Sequence, residues 1–487
     1  MLPMLTPITA PRIVKGNFWL ARMSTAPNTQ PGHSTNKSND WREWGTEATS
    51  LSQAIKTQWK HDQTHEKQSI IQATRLVLLD TCAVIINGLS SNLIQAYSEN
   101  NANLEPGHLH FPGIRQKLSI HGLISVLSAA APWNELVEGN AKAHGRPALH
   151  VVPISIGLGL SLNCTLDQIL RAILQGYEIG TRFGEAYSVP PGEHVDGTWG
   201  TIAATVAACT LLKTTPEQTR GAINGALCQM SRSLFAPVEA GSGSRLLYSG
   251  LSALTGLQLA LASRAGLHGP ARPGRTSSDH QQRWPSAPDL TIRAEFAIED
   301  SYVKLYPGAR HLHYGMEAAL NWRQSHGYHS EQTLRQQDIP STITIETYPE
   351  AINYCDQSEP RNRIQAQFSL QYATCICLLT GDTSTNIFNQ SWLHHPDVAI
   401  LMSRTKLLAN DHQSGRWAVL NLTDQQGRRS RAECKYLKGD PGYPLSIDDR
   451  ITKAKRLLED HLETRCAERL VNHWLEGDLS NGLLPEA

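Results

Sequence analysis

The residues best suited to chemistry lie in two dense stretches far apart in a chain of 487 residues. In His194-Val195-Asp196-Gly197-Thr198-Trp199-Gly200 an imidazole precedes a glycine-punctuated turn. Imidazole titrates near pH ~6.5, so His194 can donate or accept a proton at neutral pH. In Lys304-Leu305-Tyr306-Pro307-Gly308-Ala309-Arg310-His311-Leu312-His313, one arginine and two histidines could hold and protonate an anion. His313 and Glu317 would share a helix face, which also permits a zinc reading. No HExxH or CxxC adds further ligands, so no metal is expected. Arg245, in Gly241-Ser242-Gly243-Ser244-Arg245, could clamp a carboxylate or simply stay solvated. The competing reading for each histidine is packing or capping.

Behind His194, the run Thr201 to Leu212 is almost free of bulk, which predicts a helix in a crowded interior. Its unpaired first-turn N–H groups would offer a seat for a carboxylate. From Trp41 to about Arg283 the pattern is helical, as in Ile70 to Gly88. Thr165-Leu166-Asp167-Gln168 and Thr215-Pro216-Glu217-Gln218 read as capping boxes. Near Pro285 the character changes. Ser341 to Thr347 alternates as a strand, Ala366 to Leu379 is helical, and Trp417 to Leu422 with Ser430 to Tyr436 flank a hairpin turn. The predicted fold is mainly α with an α+β lid. A helical bundle covers 41–285, the lid 286–440, and helices over 441–487 return to the bundle, making it discontinuous.

Lys+Arg and Asp+Glu both number 44, which leaves no basic footprint for a nucleic acid. Nine scattered cysteines without a CxxC read as reduced core thiols of an intracellular protein. No apolar run is expected to reach the ~18–20 residues that cross a bilayer, so no membrane is predicted. Residues 1–40 carry Arg12, Lys15, Arg22 and Lys37 before the first acid, Asp40. This balance suits a disordered leader or transit peptide, hence a cytoplasmic or mitochondrial location.

Four segments, in order, resemble the MmgE/PrpD family, which includes 2-methylcitrate dehydratases and cis-aconitate decarboxylases. His194 to Gly200 is similar to the family's His-Pro-Thr-Gly-Thr-x-Gly turn and the Ala-rich helix after it. Arg245 to Gly250 with Gly266 to Pro270 resembles a second motif, and Tyr306-Pro307 through His313 to Ala318 a third. Ala366-Gln367-Phe368-Ser369-Leu370-Gln371-Tyr372 is similar to its "Ala-Lys-Phe-Ser-Leu-Pro-Tyr" helix. The resemblance spans about Ile70 to Lys438 and implies a homodimer without metal or organic cofactor, with the site in the cleft between domains. His194 and His313 match site histidines, Arg245 stands where a lysine is usual, and Tyr354 aligns with a tyrosine of the decarboxylating branch. Thr198 belongs to the turn motif.

The chain departs from the family at the acidic motif, around Asn134 to Ala148. Alignment puts Leu136 at a site aspartate, Asn140 at a threonine and Arg146 at a histidine; Glu135, Glu138, His144 or His150 would substitute if the loop is shifted. The resemblance implies decarboxylation of an aconitate-type tricarboxylate to an itaconate-type product. Arg245, Arg310 and Arg146 would hold carboxylates, with His313 or His194 donating the proton and Tyr354 a hydrogen bond. Leu136 in place of a charge would suit a 2-alkyl substituent. The alternatives are a 2-methylcitrate or 2-alkylcitrate dehydratase, and a degenerate paralogue that only binds.

Overall fold

The computed structural model describes residues 43–61, 65–271, 273, 282–329 and 332–485, all within one compact unit. The leader read from residues 1–40 lies outside them. The helical part contains α1 (Trp44–His61), α2 (His65–Gly88), α3 (Asn92–Leu104), β1 (Pro106–Leu109), α4 (Ile120–Ala130) and β2 (Gly139–Asn140). It continues with α5 (Pro147–Ser161), α6 (Leu166–Ala186), α7 (Gly200–Leu211), α8 (Pro216–Cys228), α9 (Ala236–Glu239), α10 (Tyr248–Arg264) and the short β3 (Ser301–Tyr302). Both threonine capping boxes form, at the starts of α6 and α8.

The small-residue helix α7 is buried from Gly200 to Cys209 among α5, α6 and α10. Close approach is what its composition allows. A Cβ at Gly180 of α6 would lie 2.4 Å from the Ala203 Cβ, so neither helix tolerates a larger group at that crossing.

The α+β part comprises α11 (Leu312–Ser325), β4 (Thr342–Thr347), α12 (Pro349–Cys355), α13 (Arg363–Ala366), α14 (Leu370–Thr380), α15 (Gln390–Leu393) and α16 (Pro396–Ser403), then β5 (Thr405–Ala409), β6 (Ala418–Thr423) and β7 (Arg429–Cys434). Its sheet has the order β5-β4-β6-β7, with β4 and β5 parallel and the other pairs antiparallel. Ile343, Ile345, Leu420 and Leu422 point from the sheet into a second core with Met316 and Ala319. The chain is therefore mainly α, with a smaller α+β part built on its own core.

The change of partner falls later than the change of composition. Leu290, Phe296, Ala297 and Ile298, read from sequence as the start of the lid, pack in the helical core. β3 pairs antiparallel with β2, Gly139 opposite Tyr302. The last helices, α17 (Ile447–Glu459) and α18 (Thr464–Glu476), pack on α2. There Lys453 Nζ meets Asp80 Oδ1 at 2.6 Å, and Arg75 Nη1 donates to the Trp474 carbonyl at 2.8 Å.

One expectation needs correction. Gln68–Gly88 and Gly243–Arg264 are long and apolar enough to cross a membrane by length and composition. Seventy-eight per cent of the first window is buried inside the protein, and its Arg75 and Asp80 are paired as above. Interior helices are apolar all round for the same reason as membrane spans, so composition cannot separate them.

Candidate active site

A cavity of about 450 Å³ lies where the two cores meet. Its wall takes Glu135, Asn140, Arg146, His194 and Asp196 from the helical part, and Lys304, Arg310, His311, Tyr354 and Arg416 from the rest. The volume falls within the ordinary range for small-molecule sites.

Glu135 is the hub of the charged wall. It sits in the left-handed backbone region, φ +54°, which costs a non-glycine residue free energy. Arg146 Nη1 donates to its Oε2 at 2.7 Å, Arg245 Nη2 donates to Oε1, and Lys304 Nζ reaches the Glu135 carbonyl at 2.7 Å. Burial pushes the Glu135 carboxyl up, but Arg146, Arg245 and Lys304 together hold it well below the usual carboxylate range. The second arm of Arg146 donates to Asp196. Burial lowers Lys304 to about 7, with Arg146 and Arg310 pulling the same way against Glu135.

His194 follows from the turn that the sequence singled out. Gly197 adopts φ +89°, and a Cβ there would meet the Ser233 hydroxyl at 2.8 Å. This bend brings the Asp196 N–H within 3.1 Å of His194 Nδ1. A backbone N–H can only donate, so Nδ1 accepts and the neutral ring carries its proton on Nε2. Nε2 has no partner among the described residues. Burial lowers His194 to about 4, Asp196 raises it, and Arg245 and Arg146 lower it further.

The other predicted residues fall in different places. Arg310 and Tyr354 line the cavity. Asn140 does too, but its Oδ1 accepts the Lys142 and Ala143 N–H groups, so it shapes the loop. Arg245 is buried behind Glu135, with its guanidinium 5.1 Å from the centre of the Phe368 ring. Thr198 is fully buried and its hydroxyl donates to the Val195 carbonyl at 2.6 Å. His313 is fully buried off the wall, its Nδ1 3.1 Å from Arg310 Nη1. His311 lines the cavity instead. The Glu317 carboxylate, the partner in the zinc reading, accepts the Tyr306 hydroxyl.

Two further expectations change. The first turn of α7 does not open into the cavity: the His150 ring covers it, within 2.4 Å of where a Gly200 Cβ would lie. Leu136 is 1% exposed in the helical core, so it adds no apolar surface to the site. The carboxylate of that loop facing the cavity is Glu135.

An aromatic run crosses from one part to the other. His194 stacks on Phe235 (centroids 5.9 Å), Phe235 meets Tyr354 edge-on (5.5 Å), and Tyr354 stacks on His311 (5.7 Å). His311 Nδ1 is 2.7 Å from the Tyr348 hydroxyl. Burial, with Arg416, Lys304 and Arg310 nearby, lowers His311 to about 3.

Arg416 had no signal in the sequence. It precedes β6, lines the cavity, and has no carboxylate within 4 Å among the described residues. The other cations of the wall are matched: Arg146 by Glu135 and Asp196, Lys304 by Glu135, Arg310 by Asp440. Asp196 and Lys304 stood inside the two stretches that the sequence singled out, where their roles depend on distant partners.

The His194 environment gives a pH prediction. A base whose folded pKa is depressed gives stability that is full above its unfolded pKa and is lost as pH falls toward the folded value. For His194 that window runs from about 6.5 down to about 4. Between pH 7 and 5, urea unfolding of His194→Asn should gain about 2 kcal/mol relative to the unsubstituted protein. A constant difference would contradict a neutral buried ring. Comparing the two proteins cancels Glu138, which burial raises to about 7 and which works in the opposite sense.

Residues 57–277 match the MmgE/PrpD N-terminal domain, and residues 306–476 match the MmgE/PrpD C-terminal domain. The chain belongs to the MmgE/PrpD family. That family is of the lyase type, comprising dehydratases and decarboxylases. No curated protein matches the chain.

Proposed function

We propose that the protein is a carboxy-lyase of the cis-aconitate decarboxylase kind, acting on aconitate or a 2-alkylaconitate. The observation that carries this reading is the tautomer of His194. Its Nδ1 lone pair is engaged by the Asp196 N–H and its other nitrogen carries the proton, so the neutral ring has no free lone pair with which to act as a base. Dehydration of a 2-alkylcitrate begins with removal of a C–H proton, for which this ring is turned the wrong way. Decarboxylation needs an acid after the C–CO₂ bond breaks.

In the proposed step, that bond's electron pair spreads into the neighbouring alkene and carboxylate, CO₂ leaves, and His194 protonates the carbanion. Solvent then returns the proton, so the trianion and one proton give the dianion and CO₂. A ring lowered to about 4 is not an acid at neutral pH until Nδ1 is protonated as well, which exchanges the Asp196 N–H contact for the Asp196 carboxylate, 3.7 Å from Nδ1. The substrate supplies the remedy: a carboxylate about 4 Å away contributes roughly 4 kcal/mol, or about 3 pKa units. Arg416 anchors a carboxylate, Tyr354 donates a hydrogen bond, and Lys304 stabilises the developing charge. Ala186, Val189 and Pro285 offer an apolar path for an alkyl substituent.

Dehydration remains the second reading because Lys304, lowered to about 7, could protonate a leaving hydroxyl. Mass analysis of products from cis-aconitate, 2-alkylaconitates and 2-alkylcitrates separates the two. A loss of CO₂ supports the first, and a loss of water from the citrates alone overturns it. Arg416→Gln should raise KM about 10–100-fold with a smaller change in kcat, since a charge-assisted hydrogen bond contributes about 1.5–3 kcal/mol. Arg416→Lys should recover part of the loss, and an unchanged KM would remove Arg416 from substrate binding. A homodimer and an intracellular location, cytoplasmic or mitochondrial, belong to the same proposal.

A further inference from the structure

A second cavity, about 430 Å³, shares no lining residue with the first and begins one residue upstream of Glu135. Trp133, Asn134, Arg363, Asn389 and Asp460 line it, together with Ser90, Ser91 and Asn92 at the start of α3. We propose that it binds a small oxyanion on Arg363 and that its occupancy acts on the turn carrying Glu135.

The Arg363 guanidinium lies 5.3 Å from the centre of the Trp133 ring and has no carboxylate within 4 Å among the described residues. Its partners are all neutral: the Asn134 side chain, Asn389 Oδ1 at 3.3 Å and the Thr385 carbonyl at 3.3 Å. Its Nε is buried without a partner. Burial lowers Arg363 to about 10, as expected of a cation held without a counter-charge. Beside it, α3 begins without a side-chain cap on Ser91 and without an acid in its first turn. A guanidinium fork and an uncapped helix start favour the same ligand, an oxyanion.

The negative charge on the wall is kept apart by amides. Arg363 donates to Asn134, Asn134 Nδ2 donates to Asn87 Oδ1 at 2.6 Å, and Asn87 Nδ2 donates to Asp460 Oδ2 at 2.9 Å. This relay joins α13 to the turn before Glu135, to α2 and to the end of α17. An anion drawing Arg363 away from Asn134 would loosen it. The Asn134 carbonyl accepts the Gly308 N–H at 3.2 Å and the next carbonyl accepts Lys304 Nζ at 2.7 Å, so the disturbance reaches the charged wall directly.

The test uses the full chain with inorganic phosphate and acetate as probes, which separates tetrahedral from planar oxyanions. Calorimetry should detect saturable binding of at least one. Arg363→Gln should weaken it at least tenfold, while Arg416→Gln leaves it unchanged. Arg363 also straps two parts of the fold, so Asn92→Asp provides an independent arm: it adds a charge at the exposed helix start without touching the relay. That variant should keep or raise its melting temperature and still lose at least tenfold in affinity. No saturable binding, or binding unaffected in either variant, overturns the site. The coupling is read as a change in citrate affinity for the unsubstituted protein at saturating probe, absent in Asn92→Asp; an unchanged affinity overturns the coupling. Neither measurement needs turnover, so their failure is distinct from failure of the lyase reading.

Discussion

Glu135→Ala is expected to lower the unfolding free energy by about 3–5 kcal/mol, the cost of leaving buried charges without their partner. Glu135 is 3% exposed and is the shared counter-ion of Arg146, Arg245 and Lys304. Arg146 retains Asp196, and Lys304 can shed its proton. Arg245 can do neither: its Nε and Nη1 are already buried without partners, and only the Phe368 ring remains. Urea titration at a constant m-value measures the loss directly. A midpoint close to that of the unsubstituted protein would mean that the cluster carries its charge some other way. Because the variant opens a cationic hole on the wall, citrate should raise its melting temperature more than it raises that of the parent.

His194→Ala should lower kcat by about 10²–10⁴-fold, the usual contribution of a positioned general acid. The ring faces a cavity and stacks on Phe235, so removing it should cost far less stability than removing Glu135. In the parent enzyme kcat should fall as pH rises above the substrate-elevated pKa of His194, near neutrality on the Coulomb estimate given above. A variant turning over within a few-fold of the parent would end the proton-donor assignment. A protein that turns over nothing, with or without His194, but still binds citrate would be the non-catalytic paralogue instead.

His311 and His313 illustrate where sequence reasoning stops. Residues two apart on a helix point about 200° from each other, so only one of the pair can face a given cavity. His311 is the N-cap of α11, while His313 is its second residue and turns into the core. Which of them faces outward depends on where the helix starts and on which side packs against α14. Neither is written in the local pattern. Arg416 is a starker case, since a lone arginine before a hairpin strand acquires meaning only from the neighbouring Tyr302, Tyr314 and Tyr348 and the open wall that the fold assembles around it.

Features readable along the chain are local or additive. The capping boxes at Thr165 and Thr215, the alternation of β4, the 424–427 turn and the bulk-free α7 follow from propensities acting over a few residues. The two stretches bearing His194 and Arg310 were legible from their side-chain chemistry. The packing of distant segments sets which carboxylate faces the cavity and which cations are already neutralised. Those depend on charges and donors tens to hundreds of residues away in the chain, and their energies arise only once burial has removed the water that would otherwise screen them.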